Sequence, residues 1–200
     1  MNFEKPFSPS SEENKQVILA VLKPLLVQSK TLLEVASGTG QHAVHFSENM
    51  PHLHWQTSDL IEHHPGITQW VLDSGLTNIA LPIRLNVSTD LWPTQKYDAV
   101  FSANSFHIMA AFNVIDFFEN IATVIQPQGL IIIYGPFNYA GNFTSESNSR
   151  FDAMLRARDC GSCIKDFEWC DELAEHAGFK LIKDVEMPQN NRILVWQKLD

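Results

Sequence analysis

The chain has 200 residues, a formal net charge of −9, 44% hydrophobic residues and 18% charged ones. These values fit one globular domain, residues 1–200, with a sizeable core, and they exclude a disordered or fibrous chain. The acidic balance, with no run of Lys or Arg, would repel a phosphate backbone, so nucleic acid is not an expected partner. No apolar stretch reaches membrane-spanning length, and residues 1–6 lack the basic-then-apolar pattern of a signal peptide, so no membrane partner is expected and the chain is placed in the cytoplasm.

Ser8 is followed at helical spacing by Val17, Ile18, Val21, Leu22, Leu25 and Leu26, with Glu12 and Glu13 in the first turn, which predicts an amphipathic helix over 12–26. Residues 31–36 form a short apolar run that breaks at Ser37-Gly38-Thr39-Gly40 and resumes as a helix over 41–49. The pattern is strand, glycine turn, helix. A second strand over 54–59 ends in Asp59, a helix follows over 66–74, and a third strand over 79–87 is interrupted near its start by Pro82. A strand over 97–103, a helix over 113–125 and a strand over 129–134 continue the alternation, and helices are expected over 151–158 and 169–177.

The strands are nearly continuous apolar runs, as burial on both faces of a parallel sheet requires, so the predicted fold is a doubly wound α/β sheet. Residues 179–185 and 193–198 are two β-like runs close enough to form a terminal antiparallel hairpin.

A glycine turn between the first strand and its helix allows close backbone approach to a ligand, and the helix N-terminus offers unpaired N–H groups and partial positive charge. In this fold the crevice outside the carboxyl ends of the strands is the expected cofactor site. Gly38-Thr39-Gly40-Gln41-His42-Ala43 matches the G-x-G-x-x-G/A dinucleotide pattern, and Asp59 lies near the distance of a ribose-binding acid, so a nicotinamide-dependent reductase is one reading. Glu34, inside the first strand four residues before Gly38, points elsewhere. A carboxylate there can fix the glycine loop or, through water, the ammonium of an amino-acid ligand. Two acids ending successive strands suit an adenosyl amino acid, with Glu34 near the amino-acid tail and Asp59 bidentate to the ribose hydroxyls.

Leu33-Glu34-Val35-Ala36-Ser37-Gly38-Thr39-Gly40 resembles the first motif of class I S-adenosylmethionine (SAM)-dependent methyltransferases. Asp59, Asn86, the 98–107 stretch and Pro127-Gln128-Gly129-Leu130 fall where that superfamily has later motifs, and the terminal hairpin is similar to its reversed seventh strand. Nearly the whole chain resembles the methyltransferase-like protein 26 family, through residues 8–15, 36–46, Tyr134-Gly135-Pro136-Phe137 and Met187-Pro188-Gln189-Asn190-Asn191. The resemblance implies a seven-stranded, mostly parallel Rossmann-like sheet, SAM as cofactor, and a cofactor site of Glu34, Ala36, Ser37, Gly38, Gly40, Asp59, Leu60, Asn86, Val87, Ala103 and Asn104. Asn86 stands where the superfamily commonly has an aspartate that accepts from the adenine amine; its amide carbonyl can also accept, more weakly.

Methyl transfer from a sulfonium mainly requires alignment of the acceptor and exclusion of water. Where the acceptor must lose a proton, a group near neutral pKa helps, and His107, just past the fourth strand, is the candidate. The plainer reading of His107 is a helix-start histidine bonded to backbone. Tyr134, Phe137 and Asn138 after the fifth strand, with Asn190 on the hairpin, are candidates to border a small-molecule acceptor, or they are loop packing. Residues 141–158 read either as a lid carrying Arg156 or Arg158 toward an acidic substrate or as a solvated segment. Residues up to Lys15, Asn14 among them, read as a fold-over segment for the cofactor or as a plain helix cap. A SAM-binding regulatory module without turnover would carry the same cofactor pocket.

Cys160, Cys163, Cys170 and His176 are four potential zinc ligands, but they fall on a predicted helical region and no metal is expected. The eight histidines show no H-E-x-x-H pattern, and Ser102 and Ser105 lack a G-x-S-x-G setting, so neither a zinc peptidase nor a hydrolase triad is expected.

Overall fold

Neighbouring residues of a strand face opposite sides of its sheet, so a strand buried at consecutive positions has both faces covered. Strand β1 (Thr31–Val35) meets this condition, because Leu32, Leu33, Glu34 and Val35 are all buried. In the computed structural model, which describes residues 5–200, β1 belongs to a sheet with β2 (His54–Asp59), β3 (Ile79–Arg84), β4 (Tyr97–Ala103), β5 (Ile125–Gly135), β8 (Phe179–Met187) and β9 (Asn191–Lys198). The order β3-β2-β1-β4-β5-β9-β8 gives a seven-stranded, mostly parallel sheet of the Rossmann-like type, with β9 antiparallel to both β5 and β8. The terminal hairpin is therefore present. Its strands run into the segment read as a connection, leaving only the 3-10 turn Pro188–Asn190 between them. The reading of residues 1–4 lies outside the described residues.

The described residues form two compact units, one running to Asn86 and including Tyr97–Phe101, the other made of Val87–Lys96 and Ser102–Asp200. In the first, α1 (Pro9–Leu25) starts at Ser8, whose Oγ accepts from Ser11 N at 3.3 Å, and buries Ile18, Leu19 and Leu22. Helix α2 (Gln41–Asn49) leaves the glycine turn, and α3 (His64–Ser74) follows a 3-10 turn at Ile61–His63. Phe46, Trp55 and Phe101 meet at tilted or edge-on angles in its core. β1 is anchored where it begins, because Asp98 Oδ2 accepts from Lys30 N at 2.7 Å and Thr31 N at 3.0 Å.

Pro82 is tolerated because β3 is an edge strand and its register with β2 slips there. Ala80 pairs with Gln56 and Ile83 with Ser58, so three residues of β3 span two of β2. Gln56 Nε2 donates to the Leu81 carbonyl at 2.8 Å within this irregularity.

The second unit contains β5, β8, β9, α4 (Ala111–Ile121), α5 (Glu146–Arg158) and α6 (Phe167–His176). It also holds a short parallel ladder that the sequence pattern does not reveal, β6 (Phe137–Asn138) with β7 (Lys165–Asp166). Phe106, Phe117, Phe118 and Trp196 pack edge-on in its core. Helix α5 begins five residues earlier than its apolar pattern suggests, capped by Ser145, whose Oγ accepts from Asn148 N at 3.1 Å. Among the described residues no helix is long and apolar enough to cross a membrane.

Candidate functional site

The chain leaves β1 through three left-handed residues in five positions: Ala36 at φ 60°, Gly38 at φ 61° and Gly40 at φ 90°. Two of the three are glycines, the residue that adopts this conformation without penalty. The turn is tied to β2 along its length. Ser37 N donates to Ser58 O at 2.9 Å, Ser58 N to Ser37 Oγ at 3.1 Å, and Ser58 Oγ to Glu34 O at 2.6 Å.

Asp59 completes the tie, with Oδ2 accepting from Gly38 N at 2.7 Å and Oδ1 from Leu60 N at 2.7 Å. Burial raises its pKa, and the two N–H groups partly oppose the rise. Each carboxylate oxygen keeps a free lone pair for a further donor.

The two glycines do different work. A Cβ on Gly40 would lie 3.1 Å from Ile67 Cα and 3.2 Å from Trp70 Cβ, so this glycine allows α3 to pack against the turn. A Cβ on Gly38 would meet nothing within 4 Å. The turn is thus open at Gly38, and Gly40 supplies no capping side chain to the N-terminus of α2. This is the arrangement a ligand bonded by backbone N–H groups requires.

Glu34 is wholly buried beneath the turn. Its Oε2 accepts from Trp55 Nε1 at 3.1 Å and its carboxyl interacts with the nearby Ser37 side chain, so it fixes the loop from below. Burial pushes its carboxyl up to about 7, with the neighbouring Asp59 charge adding to the rise.

The N-terminal segment crosses the same turn. Gln41 Oε1 accepts from Ser8 N at 2.5 Å and from Thr39 Oγ1 at 3.0 Å, while His42 Nε2 lies 2.7 Å from Asn14 Oδ1. Burial drives His42 down to about 4. Further on, Trp70 Nε1 donates to Pro6 O at 2.7 Å and the Lys5 ammonium lies 3.8 Å over the Trp70 ring. Ser8, Asn14 and Pro6 are thereby strapped to α2 and α3, within the stretch up to Lys15 that the sequence offers as a fold-over segment or a helix cap.

In the second unit, β4 ends at Ala103, and Asn104 turns at φ 57° with its N–H donating to Tyr134 O at 2.8 Å. His107 follows, buried, meeting the Phe151 ring edge-on with centroids 5.2 Å apart; its Nδ1 lies 3.8 Å from where a Gly135 Cβ would be. Burial, aided by the Lys165 charge, pushes His107 down to about 4, well below the near-neutral value expected of a base. Phe137 and Tyr134 are buried, Asn138 Nδ2 donates to Ile164 O at 3.4 Å, and Asn190 accepts at its carbonyl from Asn148 Nδ2 at 3.1 Å. Val87 is buried and accepts at its carbonyl from Trp92 Nε1 at 3.1 Å, while Asn86 takes part in polar interactions at the end of the first unit.

Arg156 is committed within α5, its Nε donating to Asp152 Oδ2 at 2.7 Å, and the segment read as a lid is largely helix. Lys165 is the charged residue that the sequence reading passed over. It is buried, and its three ammonium protons go to Met109 O at 2.7 Å, Cys163 O at 3.0 Å and Cys163 Sγ at 3.3 Å. Among the described residues no group of three or more His, Cys, Asp or Glu is set to hold a metal ion; Cys170 is buried and Cys160 exposed.

The fold is shared with an O-methyltransferase family protein from Burkholderia thailandensis at a TM-score of 0.84, with 15% identity over 96% of this chain and 58% of that one. Human N-acetylserotonin methyltransferase in complex with SAM matches at a TM-score of 0.82, with 15% identity over 96% of this chain and 53% of that one. PigF with S-adenosylhomocysteine matches at 0.78, with 15% identity over 95% of this chain and 64% of that one. The chain thus spans little more than half the length of these proteins, and the likeness is one of fold. One family model takes in residues 5–198. The chain belongs to that family, described as protein of unknown function (DUF938).

Proposed function

We propose that this chain is a SAM-dependent methyltransferase acting on a small molecule. The observation that carries the reading is the turn open at Gly38, with its N–H held by Asp59 and its underside by Glu34. A Cβ at Gly38 would project into open space there, and the groups around it suit the cofactor. The N-terminus of α2, where Gln41 N donates to Thr39 Oγ1 at 3.4 Å, would receive a carboxylate, and the remaining lone pairs of Asp59 a pair of ribose hydroxyls. Glu34 acts through the loop, since its carboxylate is already engaged by Trp55 and Ser37. When bound, the cofactor supplies a methyl group already activated on a sulfonium. Leu60 and Asn86, in the same unit, complete the assignment there, and the Asn86 amide carbonyl would accept from the adenine amine.

The chain's own contribution is then binding, alignment and exclusion of water. We assign His107, Tyr134, Phe137 and Asn190 to the acceptor. At neutral pH the His107 imidazole is uncharged, because burial holds its conjugate acid near 4. A neutral ring accepts a hydrogen bond from an acceptor O–H or N–H and orients its lone pair, which contributes more here than strong proton removal. The acidic surface charge favours a small acceptor over a nucleic acid. The finer kinship with the methyltransferase-like protein 26 family rests on the four sequence segments given above.

The test is a screen of metabolite pools with methyl-labelled cofactor, run with wild type and Gly38→Arg, whose side chain would occupy the open turn. A labelled small molecule made by wild type and missing with the variant supports the proposal. Cofactor binding with no labelled product across broad pools would favour a regulatory module without turnover.

A further inference from the structure

The connection from α5 to β7 carries two cysteines separated by Gly161 and Ser162. It is a tight turn, with Ser162 N donating to Asp159 O at 3.0 Å and Gly161 N to Asp159 Oδ1 at 3.0 Å. Cys160 is exposed and Cys163 half-buried. The environments of the two thiols differ sharply. The Lys165 ammonium donates to Cys163 Sγ at 3.3 Å, and the Arg156 guanidinium is near enough to the same side chain to interact with it electrostatically. Lys165 is fixed in place by its bonds to Met109 O and Cys163 O, and Arg156 by its bond to Asp152. Two anchored cations beside a partly accessible sulfur are the setting in which thiols react with electrophilic oxidants.

We propose that Cys163 is a peroxide-reactive thiol and Cys160 its resolving partner, making the 159–165 turn an oxidative modification site that closes a Cys160–Cys163 disulfide. The Cys163 sulfur attacks one oxygen of a hydroperoxide, and the O–O bond breaks. The sulfur becomes a sulfenic acid, and the departing oxygen takes up the thiol proton and leaves as water or alcohol. The Cys160 sulfur then attacks the sulfenic sulfur, the S–S bond forms, the S–O bond breaks, and a water leaves with the second thiol proton. Two electrons pass from the sulfur pair to the peroxide.

The turn also braces the segment after His107. Ser162 Oγ donates to Ile108 O at 2.7 Å, Lys165 Nζ bonds Met109 O, and a Cβ on Gly161 would lie 3.1 Å from Ala110 Cβ. Disulfide closure replaces the thiol to which Lys165 donates and so acts on this brace. The proposal does not depend on methyl transfer, because its test reads sulfur chemistry alone.

The test treats the reduced protein with one equivalent of hydrogen peroxide and follows each cysteine by peptide mass mapping. The expected result is a Cys160–Cys163 disulfide, with Cys163 oxidised first although Cys160 is the more exposed. Cys160→Ser should stop at a single sulfenic acid on Cys163, trapped by dimedone, and Cys163→Ser should slow peroxide consumption by about tenfold. Lys165→Met and Arg156→Gln should each slow Cys163 oxidation several-fold; Arg156 lies on the surface, so its variant serves if the buried Lys165 proves necessary for folding. Oxidation that follows exposure, with Cys160 faster, would overturn the proposal, as would wild-type reactivity in Cys163→Ser or the absence of the disulfide.

Discussion

The backbone N–H of Gly38 donates to Oδ2 of Asp59 at 2.7 Å, joining the turn after β1 to the end of β2 through one carboxylate that also accepts from Leu60 N at 2.7 Å. Removing the carboxylate leaves two N–H groups without their charged acceptor. Asp59→Ala should therefore lower stability by about 2–4 kcal/mol in urea unfolding. Asp59→Asn keeps one carbonyl acceptor and sets an amide NH2 against the other N–H, so it should cost about half as much.

Glu34 yields a pH-dependent prediction. Its folded-state pKa, raised by burial to about 7 from the ordinary value of 4.5, exceeds the unfolded one. Folding therefore favours its protonated form. The contribution is fully present below about 4.5 and is lost as pH rises through about 7. Glu34→Gln, which keeps a carbonyl for Trp55, should exceed wild type in stability by about 3 kcal/mol at pH 8 and match it near pH 4.5. Chemical denaturation across that range checks it; a difference independent of pH would contradict the assignment.

The glycines of the turn should part company on substitution. Gly38→Ala places a Cβ in open space at φ 61°, a backbone cost of about 1 kcal/mol. Gly40→Ala adds a collision with Ile67 and Trp70 at φ 90° and should cost at least about 2–3 kcal/mol, visible as a larger drop in Tm.

Ala140 at φ 48° and Gly141 at φ 72° form a two-residue connection between Tyr139 and Asn142. Left-handed backbone at both positions favours Asn-Gly, so Ala140→Asn should raise stability by about 0.5–1 kcal/mol. Thermal unfolding of the variant reads this directly.

Where apolar runs meet glycine punctuation, the sequence was legible nearly to the residue: α2, β2 and β4 have the bounds expected, and β1 ends one residue early because Ala36 enters the left-handed region. Polar interiors hid the rest. Helix α5 buries Asn148 and Asp152 beside Leu155, so its inner face carries little apolar periodicity, and β6 with β7 is too short to show any. Gly38, Asp59 and Glu34 stood out because their types and spacing carry the local chemistry. The low pKa of His107 and the three committed protons of Lys165 arise from tertiary burial, which no spacing records.

If the turn at Gly38 holds an adenosyl amino acid, SAM and NADH must differ as ligands. Isothermal titration calorimetry of the chain with SAM and, side by side, with NADH tests it most directly. SAM should bind one-to-one, NADH should not bind, and a folded Gly38→Arg variant should lose the SAM signal. Binding of NADH alone, or of neither compound, would contradict this reading.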